Sequence, residues 1–138
     1  MRRPLESYRI LNRVVLGIVI ACLALPIPLT YLSRVAPGWM PVCASRLFFG
    51  KPCPLCGMTR ALATLMTGDI HEAQSLNALA LPFFFLLLLE LAWRVHLSFL
   101  PIPADRYPRL ARIDLYVHLA AIAAYLLYSF RFLLRTWL

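Results

Sequence analysis

The sequence predicts an all-α membrane protein with about three transmembrane helices. Of its 138 residues, 62% are hydrophobic and 14% are charged, against about 45–50% apolar and about 25% charged residues in ordinary soluble domains. Three apolar stretches are long enough to cross a hydrocarbon core of about 30 Å at about 1.5 Å per residue. This composition excludes an ordinary soluble enzyme and a disordered chain. The length predicts a single integral-membrane domain, residues 1–138.

The apolar stretches define the predicted spans, which cover about residues 14–32, 73–93 and 115–134. The first span carries no charge. Pro26 and Pro28 lie near its end and predict a kink or a helix end there, because proline has no amide hydrogen to donate. In the second span, Glu90 and Arg94 lie four residues apart and are predicted to form an intrahelical ion pair.

In the third span, His118 and Tyr125 lie seven residues apart on one helical face. They could line the bundle interior or hold a proton, since ionisable groups in hydrocarbon are usually paired or functional. Too few groups align to predict a transporter. The sequence also has no triad-like arrangement and no glycine-rich phosphate loop, which excludes hydrolase and nucleotide-binding functions.

The basic residues predict how the chain lies in the membrane. The basic residues, which give the chain a net charge of +8, flank the apolar spans instead of forming one stripe. Binding to anionic lipid headgroups therefore explains them better than binding to nucleic acid does. Eight arginines on the N-terminal side outnumber six basic residues on the other side. The positive-inside rule then predicts a multi-pass protein of the cell inner membrane, with a cytoplasmic N-terminus and an outward-facing loop at residues 33–72.

Three of the four cysteines lie close together in this loop. Cys53 and Cys56 belong to a C-P-x-C-G turn, in which two thiolates converge on one metal ion and Gly57 permits the tight backbone. Cys43 could be a third ligand, and His71 could complete a tetrahedral Cys₃His site, for which zinc is the favoured metal. A neighbouring subunit could complete the site instead. The alternative for His71 is a solvated or capping residue near a helix start.

The same cysteines fit two other interpretations. Cys53 and Cys56 could be the redox pair of a thiol-disulfide oxidoreductase, because a helix that starts after Gly57 would lower the pKa of an adjacent thiol. The sequence cannot build the thioredoxin-like βαβ unit that usually carries such a pair, but a membrane enzyme working with quinone would not need it. Alternatively, two of the three loop cysteines form a stabilising disulfide. We favour a binding or structural module over an enzyme.

A short helix is predicted between the cysteines and the second span. Residues 58–66 have helical spacing, with Leu62, Leu65 and Met66 on one face, and Gly68 is suited to end the helix. The segment is too short to cross the bilayer, so we expect it at the membrane interface.

Polar residues around this helix are candidate capping and binding groups. Asp69 and Glu72 lie three residues apart and predict a capping box for the next helix. Arg60 follows the cysteine turn and could bind an anion or a lipid phosphate, pair with Asp69, or extend its charge towards the headgroups.

The cysteine turn belongs to a longer pattern. Residues Cys53 to Ala61 follow C-P-x-C-G-x-T-R-A, and a Gly-Asp pair and an asparagine that enters a hydrophobic helix come after it. This arrangement resembles the bacterial membrane-protein family called domain of unknown function 2752. The resemblance covers about residues 41–89, and Cys43 resembles a cysteine that many members carry upstream. Members often have a proline where this chain has Ala78, so the joint between loop and helix is expected to differ here.

The resemblance implies a membrane location and a shared loop, without a reaction. Motif residues that could contact an anion or lipid are Thr59, Arg60, Asp69 and Asn77. The expected partner is the lipid bilayer, and a membrane protein or a second copy of the chain could join it; no nucleic-acid partner is expected. The resulting hypothesis is a small membrane module whose loop cysteines hold zinc or a disulfide.

Overall fold

The computed structural model describes residues 2–36, 38, 43–51, 53–99 and 106–137, and within them the chain forms seven α-helices and no strand. The helices are α1 (Arg2–Ala24), α2 (Pro26–Val35), α3 (Ala44–Phe49), α4 (Met58–Met66), α5 (Ile70–Leu76), α6 (Ala80–Phe99) and α7 (Tyr107–Trp137). Three segments are long and apolar enough to cross a membrane: Glu6–Ala24, Ala80–Phe99 and Tyr107–Arg131. The predicted fold class is confirmed.

The first long helix breaks at the prolines. α1 ends at Ala24 and α2 begins at Pro26, because proline fits the first turn of a helix but not its interior. The Leu25 amide still donates to the Ala21 carbonyl at 2.9 Å, and the Leu29 amide donates to the Leu25 carbonyl at 3.1 Å. Helical hydrogen bonds therefore continue on both sides of the break, except for those that Pro26 and Pro28 cannot donate.

The joint between α5 and α6 is set by Asn77. Its backbone is extended, with φ −160° and ψ 113°, so α5 ends before it and α6 begins only at Ala80. The predicted second span ran through this joint without a break. Because of this joint and the proline break, the bounds of the apolar helices differ from those of the predicted spans, 14–32, 73–93 and 115–134.

The hydrophobic core lies where α4, α5 and α6 meet, and α2 packs against α4. Of the three residues that the sequence places on one face of α4, Leu62 and Leu65 are buried, whereas Met66 is 41% exposed. The buried face instead continues towards the start of α4, at the three- and four-residue spacing of one helical side. The buried core residues are Met58, Ala61, Leu62, Leu65, Ala73, Leu79 and Ala80.

The turn from α4 to α5 follows the sequence signals. Gly68 has φ +90°, and its amide donates to the Leu65 carbonyl at 3.1 Å, which closes the end of α4. Asp69 then caps α5, since its Oδ1 accepts the Glu72 amide at 2.9 Å. The predicted helix end and the aspartate half of the capping box are confirmed.

A buried polar network connects α1, α6 and α7. Arg94 pairs with Glu90 in α6, as predicted, and its Nη1 donates to Asp114 Oδ2 in α7 at 2.9 Å. The Tyr8 hydroxyl in α1 donates to the same Asp114 oxygen at 3.0 Å, and Asn12 Nδ2 donates to the Arg94 carbonyl at 3.3 Å. The sequence predicted the Glu90–Arg94 pair and missed Asp114.

The outward faces of the three long helices are apolar. Exposed residues on them include Ile18 in α1, Leu89 in α6 and Leu127 in α7. Large apolar surfaces of this kind are unfavourable in water and suited to lipid. The arrangement is consistent with a multi-pass membrane protein.

Candidate metal centre

The cysteine turn is held by backbone hydrogen bonds. The Cys56 amide donates to the Cys53 carbonyl at 3.0 Å, and the Met58 amide donates to the Leu55 carbonyl at 3.1 Å. The Cys53 amide points at Cys56 Sγ at 3.3 Å. Gly57 follows with φ +82° and is the N-cap of α4. Two tight turns therefore bring both sulfurs to the same side of the chain.

All three loop cysteines converge at this turn. Cys53 Sγ lies 3.3 Å from Cys43 Sγ and 3.4 Å from Cys56 Sγ. The three sulfurs all lie within 4.8 Å of one another, and each residue is half-buried. All three are free cysteines, since a disulfide needs sulfurs about 2.05 Å apart. The predicted cluster of Cys43, Cys53 and Cys56 is confirmed as a geometric group that could hold a metal ion.

The predicted fourth ligand lies elsewhere. His71 is an exposed residue near the start of α5, and its ring nitrogens are not part of the group of three sulfurs. Among the described residues, three ligand atoms therefore converge, and His71 does not join them.

The thiols differ strongly in acidity. Cys43 is the N-cap of α3. The Arg46 amide lies near Cys43 without completing a capping hydrogen bond, and it has the largest effect on the pKa of Cys43. Together with hydrogen bonds from Cys56 and Cys53, it lowers this pKa to about 6. The hydrogen bond to Cys43, with burial, raises the pKa of Cys56 to about 11. One negative charge thus forms readily on Cys43, and ionising Cys56 needs a cation beside it.

Asn77 fixes the cysteine turn from a distance of more than twenty residues. Its Nδ2 donates to the Pro54 carbonyl at 2.8 Å and to the Cys56 carbonyl at 3.0 Å, while its Oδ1 accepts the Leu79 amide at 2.8 Å. The side chain is buried, and both Nδ2 hydrogens are used within the chain. The sequence motif identified Asn77 but did not predict this role, because the contact depends on how α5 folds back.

The other motif residues lie around the cysteine turn. Thr59 is half-buried and Arg60 is exposed in the first turn of α4. Asp69 caps α5. An anion or lipid contact at Thr59 and Arg60 stays a prediction.

Replacing Asn77 with alanine should destabilise the protein by about 1–3 kcal/mol, because two carbonyls and one amide lose their partner at a largely buried site. Thermal unfolding in detergent measures this loss. Gln74→Ala changes an exposed side chain of α5 and is the control, expected to stay within about 0.5 kcal/mol. Equal stability of the two variants would show that Asn77 does not hold the turn.

Comparison with known proteins adds one finding to this geometry. Residues 43–91 match the model of a family described as "Protein of unknown function (DUF2752)". No curated protein and no solved structure matches the chain. The matched segment runs from Cys43 through most of α6, and it includes all three clustered cysteines and Asn77. The resemblance that the motif indicates is therefore confirmed for this segment, which is similar to the DUF2752 family.

Proposed function

We propose that this chain is a membrane protein whose Cys43, Cys53 and Cys56 bind one metal ion, with zinc favoured. The observation that carries the proposal is the convergence of three sulfurs within 4.8 Å. Tetrahedral zinc with Zn–S bonds of about 2.3 Å holds its sulfurs about 3.8 Å apart, which is close to the spacing found here. Soft thiolate ligands also favour zinc over magnesium or calcium.

The ion would join segments that are separate in the sequence. Cys43 precedes α3, and Cys53 and Cys56 precede α4. Because Asn77 ties the same turn to the start of α6, the bound ion would fix the loop against the helices. The fourth position is open to water, to His71 after a movement, or to a residue from a membrane protein partner or a second copy of the chain.

We also propose a cellular location and a membrane orientation for the chain. The arginine distribution supports the cell inner membrane with the N-terminus in the cytoplasm and the cysteine loop outside. The module would then present its metal centre at the outer membrane surface, where it could stabilise a membrane assembly. Labelling of a Phe48→Cys variant, changed at an exposed loop position outside the three sulfurs, with a membrane-impermeant thiol reagent on intact cells tests this orientation, since only an outward-facing loop is labelled before lysis.

Metal content tests the function. In detergent-purified protein, elemental mass spectrometry should find about one zinc per chain, and Cys53→Ser with Cys56→Ser should lose it. Cys22→Ser is the matched control, because this fourth cysteine lies in α1, outside the group of three sulfurs. Metal that remains after the double substitution, or wild-type protein without metal, would contradict the proposal.

A thiol-disulfide oxidoreductase is the alternative, favoured by the 3.4 Å between Cys53 Sγ and Cys56 Sγ. Forming a disulfide would release two electrons and two protons, which a quinone would take up to become a quinol. This alternative predicts a pair with a reduction potential of about −120 to −270 mV, the range of catalytic dithiols. A potential below about −300 mV would indicate a structural disulfide instead.

A further inference from the structure

A second polar site lies inside the helix bundle, away from the cysteines. Arg94 is 14 residues along α6 from Ala80, which is about 21 Å at 1.5 Å per residue. His118 joins the network there, with Nε2 at 2.5 Å from Glu90 Oε2 and Nδ1 at 2.6 Å from the Asp114 carbonyl. A carbonyl only accepts, so Nδ1 carries a hydrogen. Any additional proton is then shared between Nε2 and Glu90.

The charge of the network depends on this proton. Arg94 contributes one positive charge, and Glu90 and Asp114 contribute two negative charges. With a neutral imidazole the network has a charge of −1, and with one more proton it is neutral. Tyr8 and Asn12, which face it from α1, add no charge. A net charge between apolar helices is costly, so the network should hold either the proton or a cation.

Glu90 and His118 are the more accessible members of the network. Both Asp114 oxygens are occupied, by Tyr8, Trp93 and Arg94. Arg94 donates to Glu90 and Asp114, and its Nη2 also lies 3.1 Å from His118 Nε2. The Arg94 side chain is 4% exposed. The Glu90 side chain is 19% exposed and the His118 side chain is 30% exposed. With the shared proton bound, this accessible pair is neutral, and once the proton has left it carries one negative charge on Glu90, which disfavours phosphate or carboxylate ligands.

Glu90 and His118 lie at a cavity of about 540 Å³ between the long helices. This is the size of a small-molecule site. Its other walls are almost entirely apolar, and they include the rings of Phe83, Trp93 and Tyr125. Aromatic faces attract cations in addition to apolar groups. An apolar cavity with aromatic walls and one accessible carboxylate suits an apolar ligand that carries a positive charge.

We propose that this cavity binds a hydrophobic cation in exchange for the proton shared by Glu90 and His118. One cation enters and one proton leaves, so the network stays neutral in both states. The site is independent of the cysteine centre, and its ligand is defined by chemistry: a compact apolar molecule with one delocalised or quaternary positive charge.

Calorimetry with tetraphenylphosphonium tests the exchange on the purified full chain in detergent, with empty micelles subtracted. Titrations in two buffers of different ionisation enthalpy should show about one proton released per cation, and affinity should fall by up to tenfold per pH unit on acidification. Triphenylphosphine oxide is the neutral comparison of similar shape and should bind at least tenfold more weakly. Equal binding of the two probes, or cation binding without proton release, would overturn the proposal.

Two variants test separately whether binding depends on the Glu90 charge and on the free volume of the cavity. Glu90→Gln removes the accessible anion and should weaken cation binding at least tenfold. Ala121→Phe fills the cavity, which Ala121 lines, and leaves every charge in place; it should also abolish binding. Circular dichroism and gel filtration check that both variants fold. Unchanged cation binding in folded Ala121→Phe would show that the ligand lies outside this cavity.

Discussion

Arg94→Ala should destabilise the protein by about 3–5 kcal/mol, because it leaves buried carboxylates without the cation that they share. The Arg94 side chain is 4% exposed and that of Asp114 is 7% exposed, so water cannot replace the lost charge. Arg94 also holds Glu90 and thereby connects α6 to α7. Unfolding by heat or denaturant in detergent measures the loss.

A second substitution shows whether charge is the cause. Asp114→Asn in the Arg94→Ala background removes one of the stranded carboxylates and should recover part of the stability. Arg112→Ala is the control for losing an arginine at an exposed position of α7 and should cost about 0.5 kcal/mol or less. If Arg94→Ala unfolds no more easily than Arg112→Ala, the network does not hold the three helices together.

Gly57→Ala should cost about 2–4 kcal/mol and displace the cysteine turn. Gly57 has φ +82°, and a Cβ built there would lie 2.8 Å from the Leu76 carbonyl oxygen. A side chain at positive φ is strained by about 1–3 kcal/mol, and the contact with a backbone atom adds to this because backbone cannot move aside easily. Zinc content and thermal unfolding measured on the same sample report both effects.

Gly68→Ala is the matched control for the strained backbone. Gly68 has φ +90°, and nothing lies within 4 Å of a Cβ built there. The substitution should cost only the backbone strain of about 1–2 kcal/mol and should leave the metal content unchanged. Equal losses in the two variants would mean that the close approach of Gly57 to Leu76 has no structural role.

Local features of the chain could be predicted because their causes are local. The helix break at Pro26, the end of α4 at Gly68 and the cap at Asp69 depend on residues within one turn. The ion pair of Glu90 with Arg94 depends only on helical spacing. The cysteine turn follows from the same short-range rule, since only two residues separate Cys53 from Cys56.

Features that depend on packing could not be predicted. Asp114 is 20 residues from Arg94, and only the register of α7 against α6 brings them together. Asn77 reaches Pro54 because α5 folds back over α4, and the break at Asn77 that separates α5 from α6 has the same cause. Residues 73–89 carry no charged side chain, so the charge pattern does not reveal this break.

X-ray absorption at the zinc edge of the purified protein tests the metal centre most directly, because it counts and measures the ligands themselves. Three sulfur scatterers at about 2.3 Å and one nitrogen or oxygen at about 2.0–2.1 Å are the expected result, and the zinc absorption itself should disappear in the Cys53→Ser, Cys56→Ser variant, which loses the metal. A zinc site made only of nitrogen and oxygen ligands would contradict a centre formed by Cys43, Cys53 and Cys56.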